Sequence, residues 1–167
     1  MNVAVDSITF DFPAGWDVVK YDDWSFYRNQ FGVGRRGIKA VDVLAIDPQS
    51  TLWFIEVKDY RRSRRSKASS LADEVARKVH DTLAALLPAK LGANDAAEQM
   101  FARAALSVSR VKVVLHLEQP VRHSKIFPRT INPANVQMEL RRLLKAVDAH
   151  LRVAERAVMG SLAWSVR

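Results

Sequence analysis

Two apolar segments, Val41-Asp42-Val43-Leu44-Ala45-Ile46 and Leu52-Trp53-Phe54-Ile55-Glu56-Val57-Lys58, decide how this chain folds. Both are rich in β-branched and aromatic residues, and the turn-forming sequence Asp47-Pro48-Gln49-Ser50-Thr51 lies between them. This pattern predicts two strands joined as an antiparallel hairpin. If residues 47–51 form the loop, facing positions add up to 98, so position 42 faces position 56.

The hairpin register places Asp42 opposite Glu56 on one face of the sheet, with Cβ atoms about 4.5–5.5 Å apart. Lys58 lies on the same face because strand side chains alternate. Mg²⁺ (or Mn²⁺) would offset the repulsion between the two carboxylates and would activate a water molecule. The acids, the ammonium and the metal would together suffice to hydrolyse a phosphodiester. The alternative is a solvent-facing sheet with a Glu56–Lys58 charge pair of little energetic value.

Helical patterns follow the hairpin. Ser70 is a predicted N-cap for a helix whose apolar stripe begins at Leu71 and which we expect to stop at Pro88. A second helix is expected from Asn94 to about Leu106, with Met100, Phe101 and Ala104 facing inward.

The remaining segments predict further strands and one last helix. Residues 111–117 alternate as a strand, and Asn132 caps a helix that we expect to extend to about residue 159. Residues 8–12 predict a short strand, whereas the pattern of residues 16–31 leaves a strand and a short helix both open. The sequence thus predicts one α/β domain, residues 1–167, with a mixed central sheet and flanking helices.

The segment from about Arg36 to Glu118 resembles the PD-(D/E)xK nuclease superfamily. The resemblance rests on Val41-Asp42, on Glu56-Val57-Lys58 in the next strand, and on the helix and strand that follow. It implies a restriction-endonuclease-like core (α-β-β-β-α-β) plus a C-terminal helix. It also implies that Asp42, Glu56 and Lys58 are catalytic.

The same resemblance implies the metal ligands, which would be Asp42, Glu56 and the backbone carbonyl of Val57. Asp22 or Asp23 is the candidate for the additional acid that some members carry on an upstream helix. Val41 stands where the family name has proline.

The chain is basic, with 26 Lys and Arg against 18 Asp and Glu and a formal net charge of +8. Five of the seven residues 61–67 are basic, and they show no apolar periodicity, which is typical of a loop. This loop is either a solvated segment or a surface that neutralises backbone phosphates. The predicted nucleic-acid-binding residues are Arg35, Arg36, Lys39, Arg61, Arg62, Arg64, Arg65 and Lys67.

The composition excludes several classes of protein. The chain has no cysteine, which rules out disulfides, thiolate nucleophiles and cysteine-based zinc sites. It contains no targeting pattern and no apolar run of the length that a membrane span needs, so we expect a soluble cytoplasmic protein.

The function expected from this pattern is a metal-dependent nuclease that acts on nucleic acid, with DNA as the expected substrate. One alternative is a catalytically inactive nucleic-acid-binding or regulatory protein of the same fold. Another is a homodimer formed through the apolar stripe of the last helix, residues 136–151. Glu74 and Lys78 predict a helix-surface ion pair, or, if that face turns toward the sheet, a phosphate contact from Lys78.

Overall fold

A computed structural model describes residues 1–33, 37–122, 125–126 and 129–167. Over these residues the chain forms eight strands and three α-helices. The strands are β1 (Asn2–Val5), β2 (Ile8–Asp11), β3 (Asp17–Lys20), β4 (Val43–Ile46), β5 (Thr51–Asp59), β6 (Arg110–Glu118), β7 (Arg152–Ala154) and β8 (Ser165–Val166). The helices are α1 (Leu71–Gly92), α2 (Ala96–Ala105) and α3 (Pro133–Leu143).

The strands form two sheets. The larger sheet has the order β3-β4-β5-β6-β7, in which β3, β4 and β5 pair antiparallel, whereas β5, β6 and β7 pair parallel. The smaller, antiparallel sheet has the order β1-β2-β8. The larger sheet is therefore mixed, as the sequence predicts.

Hydrophobic cores cover both faces of the larger sheet. On one face, α1 packs its apolar side against alternate residues of the strands, including Leu44, Phe54 and Leu115. On the other face, Val43, Ile55 and Val114 pack together with the side chains of the smaller sheet. Parallel strands are found almost only where both faces are covered in this way.

The predicted hairpin is confirmed. Leu44 pairs with Phe54 and Ile46 pairs with Leu52, so facing positions add up to 98 as expected. Leu52, Phe54, Glu56 and Lys58 alternate along β5 on the face that α1 covers, because strand side chains point to opposite faces in turn. This register determines which side chains can meet.

Two helix ends differ from the prediction. Helix α1 continues through Pro88 to Gly92. The carbonyl that Pro88 leaves without a helical donor belongs to Ala84, which lies on the exposed face of the helix, where water can solvate it. Helix α3 ends at Leu143 instead of about residue 159, because the chain turns there to supply β7 to the sheet.

The N-terminal region and α2 also differ in part. Residues 16–31 contain strand β3, a 3₁₀ turn at Tyr21–Asp23 and a π-helical turn at Phe26–Phe31, so both alternatives left open by the sequence are present. In α2, Phe101 is buried as expected, but Met100 is 68% exposed and Ala104 is exposed, because Ala102 and Ala105 face the core instead.

The coarse class, α/β with a mixed sheet and helices, is confirmed, but a specific restriction-endonuclease-like fold is not. Among the described residues, no helix has the length and apolarity needed to cross a membrane.

Candidate functional site

Asp42 and Glu56 meet at the edge of the helix-side core. Asp42 immediately precedes β4, and its Oδ2 atom accepts a hydrogen bond of 2.6 Å from the backbone N–H of Val57. Its own backbone carbonyl accepts one from Tyr21. Glu56 is fully buried, with 0% exposure. The structure thus brings together the two carboxylates that the hairpin register predicts.

Two lysines offset the charge of these carboxylates. Lys78 of α1 places Nζ 2.6 Å from Oε1 of Glu56 and 3.4 Å from Oδ1 of Asp42. Lys58 places Nζ 2.9 Å from the same Oε1 atom. The contacts at Oε1 of Glu56 are ion pairs that do not meet the geometry of a hydrogen bond. The Oε2 atom of Glu56 has no hydrogen-bond partner among the described residues.

The pKa values at this cluster reflect its burial. Burial and the neighbouring Asp42 carboxylate raise the pKa of Glu56 to about 7, and they outweigh the two ammonium groups. Burial alone lowers the pKa of Lys58, but the Glu56 and Glu74 carboxylates outweigh it and leave that pKa raised. Lys58 therefore stays charged, whereas Glu56 is balanced between its two protonation states near neutral pH.

Glu74 connects this cluster to residues 61–67, which we call the basic loop. Its carboxylate lies 2.9 Å from the cationic groups of Lys58, Arg65 and Lys67. Burial raises the pKa of Glu74, but hydrogen bonds from Lys67, Lys58 and Arg65 outweigh it and lower the pKa to about 2. One carboxylate therefore holds the end of the basic loop against the first turn of α1.

A cleft of about 250 Å³ opens beside Glu74. Its cationic lining consists of Lys58, Arg64, Arg65 and Lys67. Asp6, Asp59 and Glu74 also line it, together with Val57, Tyr60 and Ser66. The cleft thus combines an excess of positive groups with access from solvent.

Of the predicted binding residues that the structure describes, Arg61, Arg62 and Lys39 do not line this cleft. Arg61 donates to the Asp59 carboxylate, which lowers the pKa of Asp59 to about 2, and Arg64 donates to the backbone carbonyls of Lys125 and Ile126. Arg62 and Lys39 are exposed. Arg35 and Arg36 lie outside the described residues.

Lys39 lies beside α1. Its backbone N–H donates to Asp81, and the residue lines a second hollow together with Lys67 and Glu74.

Asp22 and Asp23 pair with Lys20, and Asp23 also pairs with Arg28. Burial raises the pKa of Asp22, and the charges of Lys20, Asp42 and Lys78 also act on it, so Asp22 lies near the site.

Sequence reasoning did not identify Glu74 and Lys78 as parts of one site. They do not pair with each other on the helix surface; each faces the sheet and contacts different strand residues. The available signal was their spacing of four residues on α1, which places them on one face. Only the packing of α1 on the sheet decides that this face covers Glu56 and Lys58.

The donor set for a metal ion is small. The described residues contain no cluster of three or more His, Cys, Asp or Glu suited to a metal. Mg²⁺ tolerates such a set, because it binds through one or two carboxylates and keeps several waters. The buried, unpartnered Oε2 atom of Glu56 fits a metal ligand, whereas the Lys78 ammonium competes for the same carboxylates.

Comparisons with known proteins point away from nucleases. The chain is 36% identical over 159 residues to a cysteine–tRNA ligase of Neisseria meningitidis. That alignment covers 77% of this chain and 23% of the ligase, so the chain spans about a quarter of the length of its relative. No protein-family model and no solved structure matches the chain.

The match to an aminoacyl-tRNA synthetase overturns the resemblance to the PD-(D/E)xK superfamily, which is a wrong prediction. The predicted nuclease function is wrong for the same reason. The match does not contradict the nucleic-acid binding of the alternative, an inactive nucleic-acid-binding or regulatory protein. The motif misled because an acid, a Glu and a Lys on a hairpin also arise where a sheet buries a charged cluster. Here Lys58 and Lys78 contact the buried carboxylates and offset part of their charge.

Proposed function

We propose that this chain is an RNA-binding module related to cysteine–tRNA ligases and that its partner is tRNA. The observation that carries the proposal is the 36% identity to a protein whose name says that it acts on tRNA. Because the chain spans 23% of that ligase, the proposal concerns RNA binding and not the ligation of cysteine.

The charge distribution supports this proposal. The net charge of +8 favours a polyanionic partner, and Arg64, Arg65 and Lys67 of the basic loop line an accessible cleft. Lys and Arg side chains that neutralise backbone phosphates release counterions, which supplies most of the affinity for a nucleic acid. Arg62 and Arg64 are the exposed arginines of the loop, and neither pairs with a carboxylate among the described residues.

The nature of the relative favours RNA over the DNA that the sequence led us to expect. Phosphate contacts of this kind do not themselves distinguish the two polymers. DNA is therefore the comparison ligand in the test, and tighter binding of duplex DNA than of tRNA would contradict the proposal.

The test is fluorescence anisotropy with labelled tRNA at several NaCl concentrations. We expect salt-sensitive binding by the wild-type protein. The double variant Arg62→Gln/Arg64→Gln should bind more weakly and should lower the slope of log K against log salt by about 2, because each arginine that neutralises a phosphate adds about 1 to that slope.

The matched control is Arg103→Gln/Arg110→Gln, which removes the same charge from two exposed arginines outside both the basic loop and the cleft. It should leave the slope nearly unchanged. An equal loss of affinity in both double variants would show a general charge effect, and absence of tRNA binding by the wild-type protein would refute the function.

We propose in addition that Asp42 and Glu56 bind Mg²⁺ (or Mn²⁺), with the backbone carbonyl of Val57 as a further ligand. The supporting observation is the buried Oε2 atom of Glu56, which has no hydrogen-bond partner among the described residues. When bound, the ion would neutralise both carboxylates and attract a phosphate of the RNA.

Calorimetric titration with Mn²⁺ tests this second proposal. Glu56→Gln should abolish saturable binding, whereas Lys78→Met should tighten it because a competing ammonium is removed. Glu139→Gln is the control, since Glu139 lies on α3 and bonds to Ser70. Failure of the wild-type protein to saturate with Mn²⁺ would refute this site but not the binding of RNA.

A further inference from the structure

The Glu74 carboxylate occupies a position with the features of a phosphate site. Two ammonium groups and one guanidinium, from Lys58, Lys67 and Arg65, each approach it to 2.9 Å. These groups bond to carboxylate and phosphate oxygens with the same geometry, because both anions present charged acceptor oxygens to the same donors.

We propose that the Glu74 carboxylate occupies a binding site for a backbone phosphate when no RNA is bound. When RNA binds, one of its phosphates displaces this carboxylate and takes its place. This inference rests on the proposed RNA-binding function. It adds the location of one phosphate contact and an autoinhibitory role for Glu74, which blocks the cations that the phosphate needs.

Accessibility supports the proposal. The Lys67 side chain is 57% exposed, so one of the three cations is open to a ligand that enters the cleft. Lys58 and Arg65 are mostly enclosed and line the same cleft. A phosphate that approaches along the cleft would therefore meet Lys67 first and then the two inner cations.

The local charge balance also supports it. Three cations contact Glu74, and one of them, Lys58, also contacts Glu56, so the cations still outnumber the carboxylates around this position. Glu74 lies in the first turn of the 22-residue helix α1, where the helix dipole favours negative charge. The same field would favour a phosphate that takes the place of the carboxylate.

The proposal makes a prediction opposite to that of a purely structural role. If Glu74 competes with RNA, its neutral isostere Gln removes a carboxylate from three cations, and binding becomes stronger. Among the described residues, only Lys58 of these three cations keeps another carboxylate partner, Glu56. If Glu74 instead holds the basic loop in its binding conformation, the same change loosens the loop and weakens binding.

The experiment compares the wild-type protein, Glu74→Gln and Asp73→Asn in the tRNA anisotropy titration. Asp73 is the matched control: it is the adjacent residue on α1, it is exposed, and its neutralisation changes the net charge equally. We expect Glu74→Gln to bind tRNA about five- to tenfold more tightly than Asp73→Asn, because a like charge beside the phosphate is removed. The salt slope should steepen by about 1 in Glu74→Gln alone.

Three further measurements make each outcome decisive. A thermal melt establishes that Glu74→Gln is folded, and Glu74→Ala repeats the comparison with a shorter neutral side chain. A titration with inorganic phosphate measures the binding of the anion without RNA. An affinity of Glu74→Gln equal to or below that of Asp73→Asn overturns the inference while leaving RNA binding intact. A gain confined to a titration with inorganic phosphate overturns it too, and absence of tRNA binding by all proteins refutes the function itself.

Discussion

Lys78 is the residue on which the buried Asp42–Glu56 pair depends. Its ammonium contacts both carboxylates, and it is largely buried together with them. Removing one partner of a buried charge cluster is costly, because the remaining charges lose their compensation in a medium of low polarity. Lys58 retains its contact with Glu56 and moderates that cost.

We therefore predict that Lys78→Met lowers the free energy of unfolding by about 1–3 kcal/mol. The double variant Lys78→Met/Glu56→Gln should be less destabilised than the sum of the single changes, because the isolated carboxylate is gone. Urea denaturation measures all four members of this cycle. Lys90→Met, on the same helix and without an ion pair among the described residues, should change stability by less than about 0.5 kcal/mol. Additive effects in the cycle would contradict the coupling.

At the residue scale, the sequence predicts the positions of those site residues that the strand register fixes. The approach of Asp42 to Glu56 follows from a hairpin loop of known length, and the position of Lys58 follows from alternation. The contributions of Glu74 and Lys78 depend on how α1 rotates over the sheet. The spacing of residues along the helix does not determine how α1 is rotated over the sheet, so these residues become identifiable only in the folded protein.

Among the secondary-structure elements, the sequence predicts the starts of α1 and α3 well. Ser70 accepts hydrogen bonds from the backbone N–H groups of the second and third residues of α1, and Asn132 accepts them from the second and third residues of α3. Short polar side chains at these positions satisfy backbone donors that have no partner within the helix. A local rule therefore suffices to locate both helix starts.

The second prediction tests this local rule in α3. Asn132→Ala should lower the free energy of unfolding by about 1 kcal/mol, since two backbone N–H groups lose their acceptor. Asn135→Ala makes the same change at an exposed position in the first turn of the same helix. Chemical denaturation of the two variants compares them directly. Equal stability of the two would show that the cap contributes nothing.

Helix ends are harder to predict because tertiary pairing decides them. The apolar stripe continues past the end of α3 to Leu144 and Leu151, which are fully buried although neither lies in a helix. Asp148 accepts a hydrogen bond from the backbone of Val113 and pairs with Lys112, which directs the chain into β7. Apolar spacing alone does not distinguish a helix from a turn that is buried equally well.

At the scale of the whole molecule, the apolar stripe of residues 136–151 belongs to the hydrophobic core of a single subunit. Val136, Leu140, Leu144 and Leu151 all pack into the core between α1 and the larger sheet. The stripe gave the sequence-based reason to expect a homodimer through the last helix, and its burial within one chain removes that reason. The homodimer itself stays a prediction.

The third prediction follows from this packing. Leu140→Ala should lower the free energy of unfolding by about 2–5 kcal/mol, because it removes a fully buried side chain and leaves a cavity. The midpoint of urea denaturation should be independent of protein concentration for the wild-type protein and for Leu140→Ala. This is expected when the stripe stabilises one subunit and not a dimer. Met138→Ala, at a position 69% exposed on the same helix, should change stability by less than about 0.5 kcal/mol. A midpoint that rises with protein concentration and loses this dependence in Leu140→Ala would instead place the stripe between two subunits.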